Sequence, residues 1–407
     1  MSPKSIIFQT SSFPIASETF IVSNIIASIE KGYDVVIMTK TKNKIGDSSQ
    51  AELLCKYKLL EKTVVLKQPT KKYKRLLFGF FCMLHPIILF YFIKHCWQNG
   101  TWKFNLLYKL HHYLPYRKAD VFHVHFAVAA DELPVLKQMG FLKSKLLVTF
   151  HGYDAFFRDN FEQELLKNRY SLLFQFADRI TVNTPFLLNK VLALGCLLSK
   201  LAIVPVGVNL EFFSPKNYPK QIISGQELQL VSVGRVVDLK GHEYGIRAVK
   251  LLVHSGYSVF YTIIGEGVLL EKLKLLVKNL QLESYVAFFG KGSQEEIREV
   301  YENSHIFLMT SIMDATGREE AQGIVTAEAQ SMGLPIVGFE SGGVPFTISE
   351  RTGILVAQKD IVSLANNIEK LIKNNKKYVQ MSNDARIWVT ENFDISNMIN
   401  SYYSGII

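Results

Sequence analysis

Cysteine is scarce in this chain: 407 residues hold four, Cys55, Cys82, Cys96 and Cys196, with no Cys-x-x-Cys spacing. That excludes a disulfide frame and a zinc site, and predicts free thiols in a reducing compartment. No basic-then-apolar leader opens the sequence. Ser5-Ile6-Ile7-Phe8 instead reads as a first buried strand, so a cytoplasmic location is expected. Internal repeats and low-complexity tracts are also missing, which excludes a solenoid. Acidic residues are depleted in one place. Between residues 40 and 118 there are 3 Asp/Glu against 16 Lys/Arg, and residues 1–200 hold 27 basic to 14 acidic while the remainder hold 19 to 22. The formal net charge of +10 therefore arises in the first half, and charge so concentrated points to nucleic acid or an anionic membrane surface. No helix-turn-helix, zinc-finger or aromatic RNP pattern accompanies it, which argues against nucleic acid.

What is present describes a folded α/β protein. Hydrophobic residues make up 48% and charged ones 20%, and the length predicts two domains. Short apolar runs alternate with helical stretches such as Thr19–Lys31 and Glu162–Phe176. Strands are expected at Ser5–Phe8, Val35–Met38, Val64–Leu66, Val121–His125, Leu146–Phe150, Arg179–Val182 and Ile203–Pro205. A second series covers Leu228–Val233, Phe260–Ile264, Val286–Phe289, Ile306–Met309, Ile336–Phe339 and Ile354–Val356. Such alternation implies parallel strands with right-handed crossovers. The stretch from Gly207 to Pro215 reads as a hinge, giving domains 1–215 and 216–407, with the last helix free to pack back on the first. Two doubly wound domains bind ligands at the carboxyl ends of their strands, so a cleft between them is the expected site.

The basic segment has an apolar core. Lys71-Lys72-Tyr73-Lys74-Arg75 leads into Leu76–Ile93, eighteen residues without a formal charge, followed by Lys94 and Trp97. That length reaches the lower limit for a membrane span, but His85 and Pro86 fall at its centre and both flanks are basic. An interfacial element fits better, with apolar and aromatic side chains in the lipid and Lys/Arg on phosphates. An internal pair of core helices is the other reading.

The residues that carry chemistry cluster in the second half. Glu320 and Glu328 stand eight positions apart in a stretch running from loop into helix. At ~100° per residue the second carboxylate comes within roughly 80° of the direction of the first. Gly323 between them permits close backbone approach, and the amides that open the helix form an anion site. Upstream, Val233-Gly234-Arg235 ends a strand, and Asp238-Leu239-Lys240-Gly241 follows, so Arg235 and Lys240 supply two cations where a diphosphate could lie. Gly265 and Gly267, then Gly290 beside Lys291, offer glycine-lined strand ends where a base or ribose can pack. In the first half, His151 follows a strand and can donate to a sugar hydroxyl or phosphate oxygen. His123 and His125 share one strand face, as a metal pair or as ordinary packing. Ser17 serves either as a helix N-cap or as a group at the cleft. Each feature alone has an ordinary structural reading, and only their combination points to a nucleotide sugar.

The ordered set Gly-Arg-x-x-x-x-Lys-Gly (234–241), Gly-Glu-Gly (265–267), Glu-x7-Glu (320–328), Gly-Leu-Pro (333–335) and Gly-Gly-Val-Pro (342–345) resembles the retaining glycosyltransferases of family 4, with the GT-B fold. The Phe-Pro-x-x-Ser-Glu-Thr-Phe-Ile opening and His-Gly-Tyr-Asp resemble the branch that builds colanic-acid-type exopolysaccharide, capsule and O-antigen. The resemblance implies two Rossmann-like domains facing a central cleft, the first for acceptor and the second for donor. It implies that Arg235 and Lys240 hold the donor diphosphate, so that neither metal nor other cofactor is needed. Glu320 then faces the donor sugar, with the amides around Gly323, Ile324 and Val325 on sugar and phosphate. Glu328 binds the ribose, and His151 reaches the donor sugar. The implied reaction moves a hexose from a nucleotide sugar, UDP-linked in preference to GDP-linked, to a lipid-linked oligosaccharide at the inner face of the cell membrane. Departures from the family pattern include Ala321 after Glu320 and Phe346 after Pro345. The loop Asp314–Glu319 adds charges beside Glu320 that are expected to tune donor choice. Epimerisation of a nucleotide sugar, or an inactive subunit on the same fold, are the alternatives.

Overall fold

The computed structural model describes residues 3–67, 69, 71–100, 102–223 and 225–407. The chain forms two compact units. One holds the sequence up to Val182 together with Lys190–Ala202 and Ile399–Ile407, and the other holds Asn183–Asn189 and Ile203–Met398.

The first unit is built on seven strands: β1 (Ser5–Phe13), β2 (Asp34–Lys42), β3 (Thr63–Val65), β4 (Val121–His125), β5 (Lys145–Thr149), β6 (Arg179–Val182) and β7 (Leu201–Ile203). Their order is β3-β2-β1-β4-β5-β6-β7, and the pairs from β3 through β6 run parallel. Ile6, Val35, Phe122, Leu146, Leu147 and Ile180 are all buried, as expected of a parallel sheet covered by helices on both faces. The order reverses between β1 and β4, so the loops after these two strands diverge and leave a crevice at their carboxyl ends.

The second unit repeats the plan with β8 (Leu228–Val233), β9 (Val259–Ile264), β10 (Val286–Gly290), β11 (Ile306–Met309), β12 (Ile336–Phe339) and β13 (Gly353–Val356). The order is β10-β9-β8-β11-β12-β13 with every pair parallel, and the reversal lies between β8 and β11. Both units are Rossmann-like.

Two details differ from expectation. Strand β7 stops at Ile203, before Pro205, which has no N–H to continue a ladder. The Gly207–Pro215 stretch is no free hinge. Val208 N donates to Phe393 O at 2.7 Å, Val208 pairs with Asp394, and a Cβ on Gly207 would lie 2.6 Å from Ile395 Cα. The units accordingly divide at Ala202, not near residue 215. Ile399–Ile407 complete the first unit: Tyr402 and Tyr403 are buried, Lys31 Nζ donates to Asn400 Oδ1 at 2.6 Å, and Arg179 Nη1 donates to Ser401 O at 3.2 Å.

Residues 72–99 form two helices, Lys72–Met83 and Pro86–Asn99, bent by 106° at the His85-Pro86 break. Proline at the first position of the second helix fixes the restart there. One face of the pair is internal. Gly79, Cys82, Ile88, Phe92 and Cys96 are buried, and Phe78 stacks on Tyr108 of the Asn105–Tyr113 helix at 5.6 Å. The other face is uncovered. Tyr73, Leu76, Leu77, Phe80, Phe81 and Leu84 form one stripe, and Phe90, Ile93 and Trp97 another, with Trp97 89% exposed. Among the described residues no single helix is long and apolar enough to cross a membrane.

Candidate active site

In the second unit three strands end side by side in glycine. Gly234 N donates to Ile264 O at 2.9 Å, and Gly265 N donates to Gly290 O at 2.8 Å. A Cβ on Gly265 (φ +144°) would overlap the Gly234 carbonyl oxygen, and one on Gly267 would overlap the Val236 carbonyl. This edge therefore admits only bare backbone. Arg235 stands exposed at its rim, with no partner among the described residues. Lys291, after β10, is likewise exposed and unpaired.

The tight turn Asp238–Lys240 returns Lys240 across Gly234, where a Cβ would lie 3.3 Å from the lysine stem. Its ammonium forms an ion pair with Glu320 Oε2, and the two side chains are 14% and 15% exposed. Ser311 Oγ, just past β11, donates to the same carboxylate oxygen at 3.3 Å, and Thr310 Oγ1 donates to Lys240 O at 3.0 Å. The loop carrying Glu320 is gripped from behind, since Gly343 N donates to Glu320 O at 2.7 Å and Gly342 N to Glu319 Oε1 at 3.1 Å. A Cβ on Gly343 would overlap the Ala321 carbonyl.

Gly323, in the left-handed region at φ +81°, turns this loop into the Ile324–Ser331 helix. Thr326 N folds back to Gly323 O at 2.9 Å, while the amides of Ile324 and Val325 make no hydrogen bond among the described residues. They are the orphan donors every helix start presents, an electropositive spot beside Glu320. Glu328, further along, is buried without a hydrogen-bond partner among the described residues, and burial pushes its carboxyl up to about 7. The hydroxyl of Tyr301 is buried and has no hydrogen-bond partner among the described residues. Burial and the nearby Glu328 carboxylate hold that phenol well above its ordinary range.

The charges expected to tune donor choice are spent on the loop's own closure. Asp314 Oδ2 accepts from Arg318 Nε at 3.0 Å and Nη2 at 2.9 Å, and Oδ1 accepts from Thr316 N at 2.9 Å and Arg318 N at 3.1 Å. Glu319 is engaged by Gly342 N and, at 3.4 Å, by Gln358 Nε2.

In the first unit His151 follows β5. Its backbone N–H and that of Gly152 both donate to Asp154 Oδ1 at 3.0 Å, and Ala127 N donates to Oδ2 at 2.8 Å. Asp154 thereby ties the loop after β4 to the loop after β5. Burial pushes its carboxyl up to about 6, against the lowering effect of those amides. The His151 ring lies 4.6 Å from Phe20 and 4.7 Å from Phe126. His123 and His125 stack at 4.4 Å, but not as a metal pair. His123 Nδ1 is 3.0 Å from Tyr403 Oη, its Nε2 is 2.9 Å from Thr149 Oγ1, and His125 Nδ1 is 2.9 Å from His151 Nε2. No group of three His, Cys, Asp or Glu among the described residues is placed to hold a metal ion. Ser17 is exposed and caps nothing. The N-cap of the Thr19–Glu30 helix is Glu18, whose carboxyl makes no capping bond and is raised to about 7 by burial.

Sequence reasoning missed Ser311, Tyr301, Asn24 and Glu18. Ser311 alone left a signal, since it follows the strand next to β8 and so lies at the reversal point.

Residues 214–388 match the family described as glycosyl transferases group 1, and residues 62–212 match glycosyltransferase family 4. The amylovoran biosynthesis glycosyltransferase AmsK of Erwinia amylovora is 30% identical over 397 residues, 95% of either chain. Among solved structures, a glycosyltransferase from Rickettsia africae ESF-5 superposes with a TM-score of 0.73 at 18% identity, covering 100% of this chain and 98% of that one. Anabaena Alr3699/HepE in complex with UDP gives 0.72 at 16%, over 99% of each. Paired Rossmann-like sheets of this kind are those of the GT-B enzymes. The chain belongs to glycosyltransferase family 4 and is a glycosyltransferase.

Proposed function

We propose that the enzyme moves a hexose from a nucleotide diphosphate sugar, UDP-linked in preference to GDP-linked, onto a lipid-linked oligosaccharide with retention of configuration, in bacterial surface-polysaccharide assembly. The observation that carries this reading is the Lys240–Glu320 pair beside the unbonded amides of Ile324 and Val325. A diphosphate entering there competes with Glu320 for the ammonium and draws on Arg235, and the released carboxylate is free to accept from donor-sugar hydroxyls. Charge building on the β-phosphate is the costly event in glycosyl transfer, so cations fixed beside it lower the barrier without reorganisation. Leaving phosphate and incoming hydroxyl on one face of the sugar retain the anomeric configuration. Glu328, buried and unpartnered, accepts from the ribose hydroxyls. Gly234, Gly265, Gly267, Gly290 and Lys291 border the nucleotide. The second unit thus binds donor, and the first binds acceptor and supplies His151 to the donor sugar. AmsK, named for amylovoran biosynthesis, and HepE, solved with UDP, favour the polymer class and the base.

The acceptor's lipid requires a membrane surface. The two exposed apolar stripes of residues 72–97, with Lys71, Lys72, Lys74 and Arg75 at their head, suit shallow insertion into an anionic leaflet. The test is a panel of UDP- and GDP-sugars with bacterial membrane extract as acceptor. Transfer of radiolabelled hexose into the lipid fraction supports the reading. Conversion of donor in the absence of acceptor would instead establish epimerisation, and no turnover across the panel would leave an inactive subunit.

A further inference from the structure

Three histidines in the first unit, His123 and His125 buried and His151 half-buried, form a connected chain. Register pairs His125 with Thr149 across β4 and β5, so His151, two residues on, falls on the same face one step beyond His125 at the carboxyl end of the sheet. The His125 ring is stacked on Phe8 at 5.8 Å and 10°, and on His123 at 4.4 Å, so it cannot turn over without displacing both. Its two nitrogens meet different partners. Asn24 Nδ2, on the Thr19–Glu30 helix, lies 3.3 Å from Nε2, and His151 Nε2 lies 2.9 Å from Nδ1.

An amide NH2 can only donate, so His125 Nε2 accepts. A neutral imidazole carries a single proton, which must then sit on Nδ1, from where it is donated to His151 Nε2. His151 Nε2 being an acceptor, its own proton is on Nδ1, and that nitrogen has no partner among the described residues. The doubly protonated alternative has no support here. The partners of His125 are an amide, two imidazoles and a phenyl ring, and the nearby Asp154 carboxylate is already taken by backbone amides. Without a facing carboxylate, a buried imidazolium is disfavoured.

We propose that His125, oriented by Asn24, is a positioning residue that keeps the proton of His151 on Nδ1, so that this nitrogen presents a hydrogen-bond donor to the donor sugar. The proposal rests on the reading of His151 as a sugar contact. In the other tautomer the same nitrogen would offer a lone pair, and a hydroxyl oxygen accepting there would lose its donor.

The direct test is nitrogen-15 NMR of histidine-labelled full-length protein. The expected spectrum shows His151 with a pyrrole-type Nδ1 and a bare Nε2. A proton found on Nε2 overturns the proposal without recourse to any variant. His125→Asn, whose amide N–H can occupy the place of Nδ1–H, should keep kcat within about threefold with the donor selected from the sugar panel. His125→Leu, which cannot donate, should lower kcat at least about 10-fold with little change in donor KM, since holding an imidazole in its working tautomer is a kinetic contribution. Equal kcat in the two variants overturns the relay. If His151→Ala keeps normal turnover, the sugar-contact reading fails, whereas the tautomer spectrum judges the relay independently.

Discussion

Lys240 and Glu320 hold each other across the mouth of the second unit's glycine-lined edge, one from the turn after β8 and the other from the loop before the Ile324–Ser331 helix. Neither side chain is solvated enough to stand unpaired without cost. The pair therefore keeps a cation and a carboxylate fixed side by side at this edge.

Lys240→Ala and Arg235→Ala should each lower kcat by roughly 10²-fold or more, the scale of losing one transition-state charge partner. Their effects on folding should differ. Arg235 is exposed and unpaired, so its loss should change stability by no more than about 0.5 kcal/mol. Lys240→Ala strands a half-buried Glu320 carboxylate and should destabilise measurably in a urea titration. Near-normal turnover in both variants would sink the diphosphate assignment.

Glu328 gives a pH signature. Its carboxyl is raised from 4.5 to about 7 by burial, so the fold favours the neutral form. Relative to Glu328→Gln, the native glutamate costs little below pH 4.5, costs progressively more as pH rises, and levels off above 7 at about 3 kcal/mol. Glu328→Gln should thus melt higher than the wild type at pH 8 and equally at pH 4.5, while binding the nucleotide sugar less tightly. A Tm difference independent of pH would show that Glu328 is not held in this way.

Of the two readings the sequence left open for residues 71–97, internal packing holds for one face, and the other face is apolar and exposed. Leu77→Ser, Phe81→Ser and Trp97→Ser alter only exposed positions, so thermal stability should hold. Flotation with anionic vesicles should fall several-fold, and wild-type binding should weaken with added salt because exposed charges are screened within about 8 Å at physiological ionic strength. Equal binding to neutral vesicles in high salt would count against an electrostatic membrane surface.

Gly343 is the backing of the Glu320 loop. Gly343→Ala places a methyl against the Ala321 carbonyl and must push that loop outward. Donor KM should rise more than about tenfold even though residue 343 contributes no side chain, because displacements near ~1 Å misalign substrate. Unchanged KM would indicate that the loop tolerates the shift.

Much of the architecture was legible because parallel strands buried on both faces are written as uninterrupted apolar runs, and Ile306–Met309 or Ile336–Phe339 admit little else. Glu320, Lys240 and Arg235 were legible because glycines and strand ends placed them. What stayed hidden depends on register or on distant partners. The Asp314–Arg318 closure consumes charges that looked available, and its geometry comes from a turn around Gly317, not from composition. Asn24 has no local pattern to set it apart on its helix, and only the approach of that helix to the end of β4 brings it to His125. The His85-Pro86 break was visible, but which face of each flanking helix met the Asn105–Tyr113 helix was not, since both faces are apolar.

Tyr402 and Tyr403 close the core around His123 from a segment translated after the whole second unit. On the ribosome the first unit, its strands already made, must wait without its closing segment while Ile203–Met398 emerges. The amino-terminal half therefore cannot reach its final packing until Ile399–Ile407 have been made, so its maturation waits on the synthesis of a different unit.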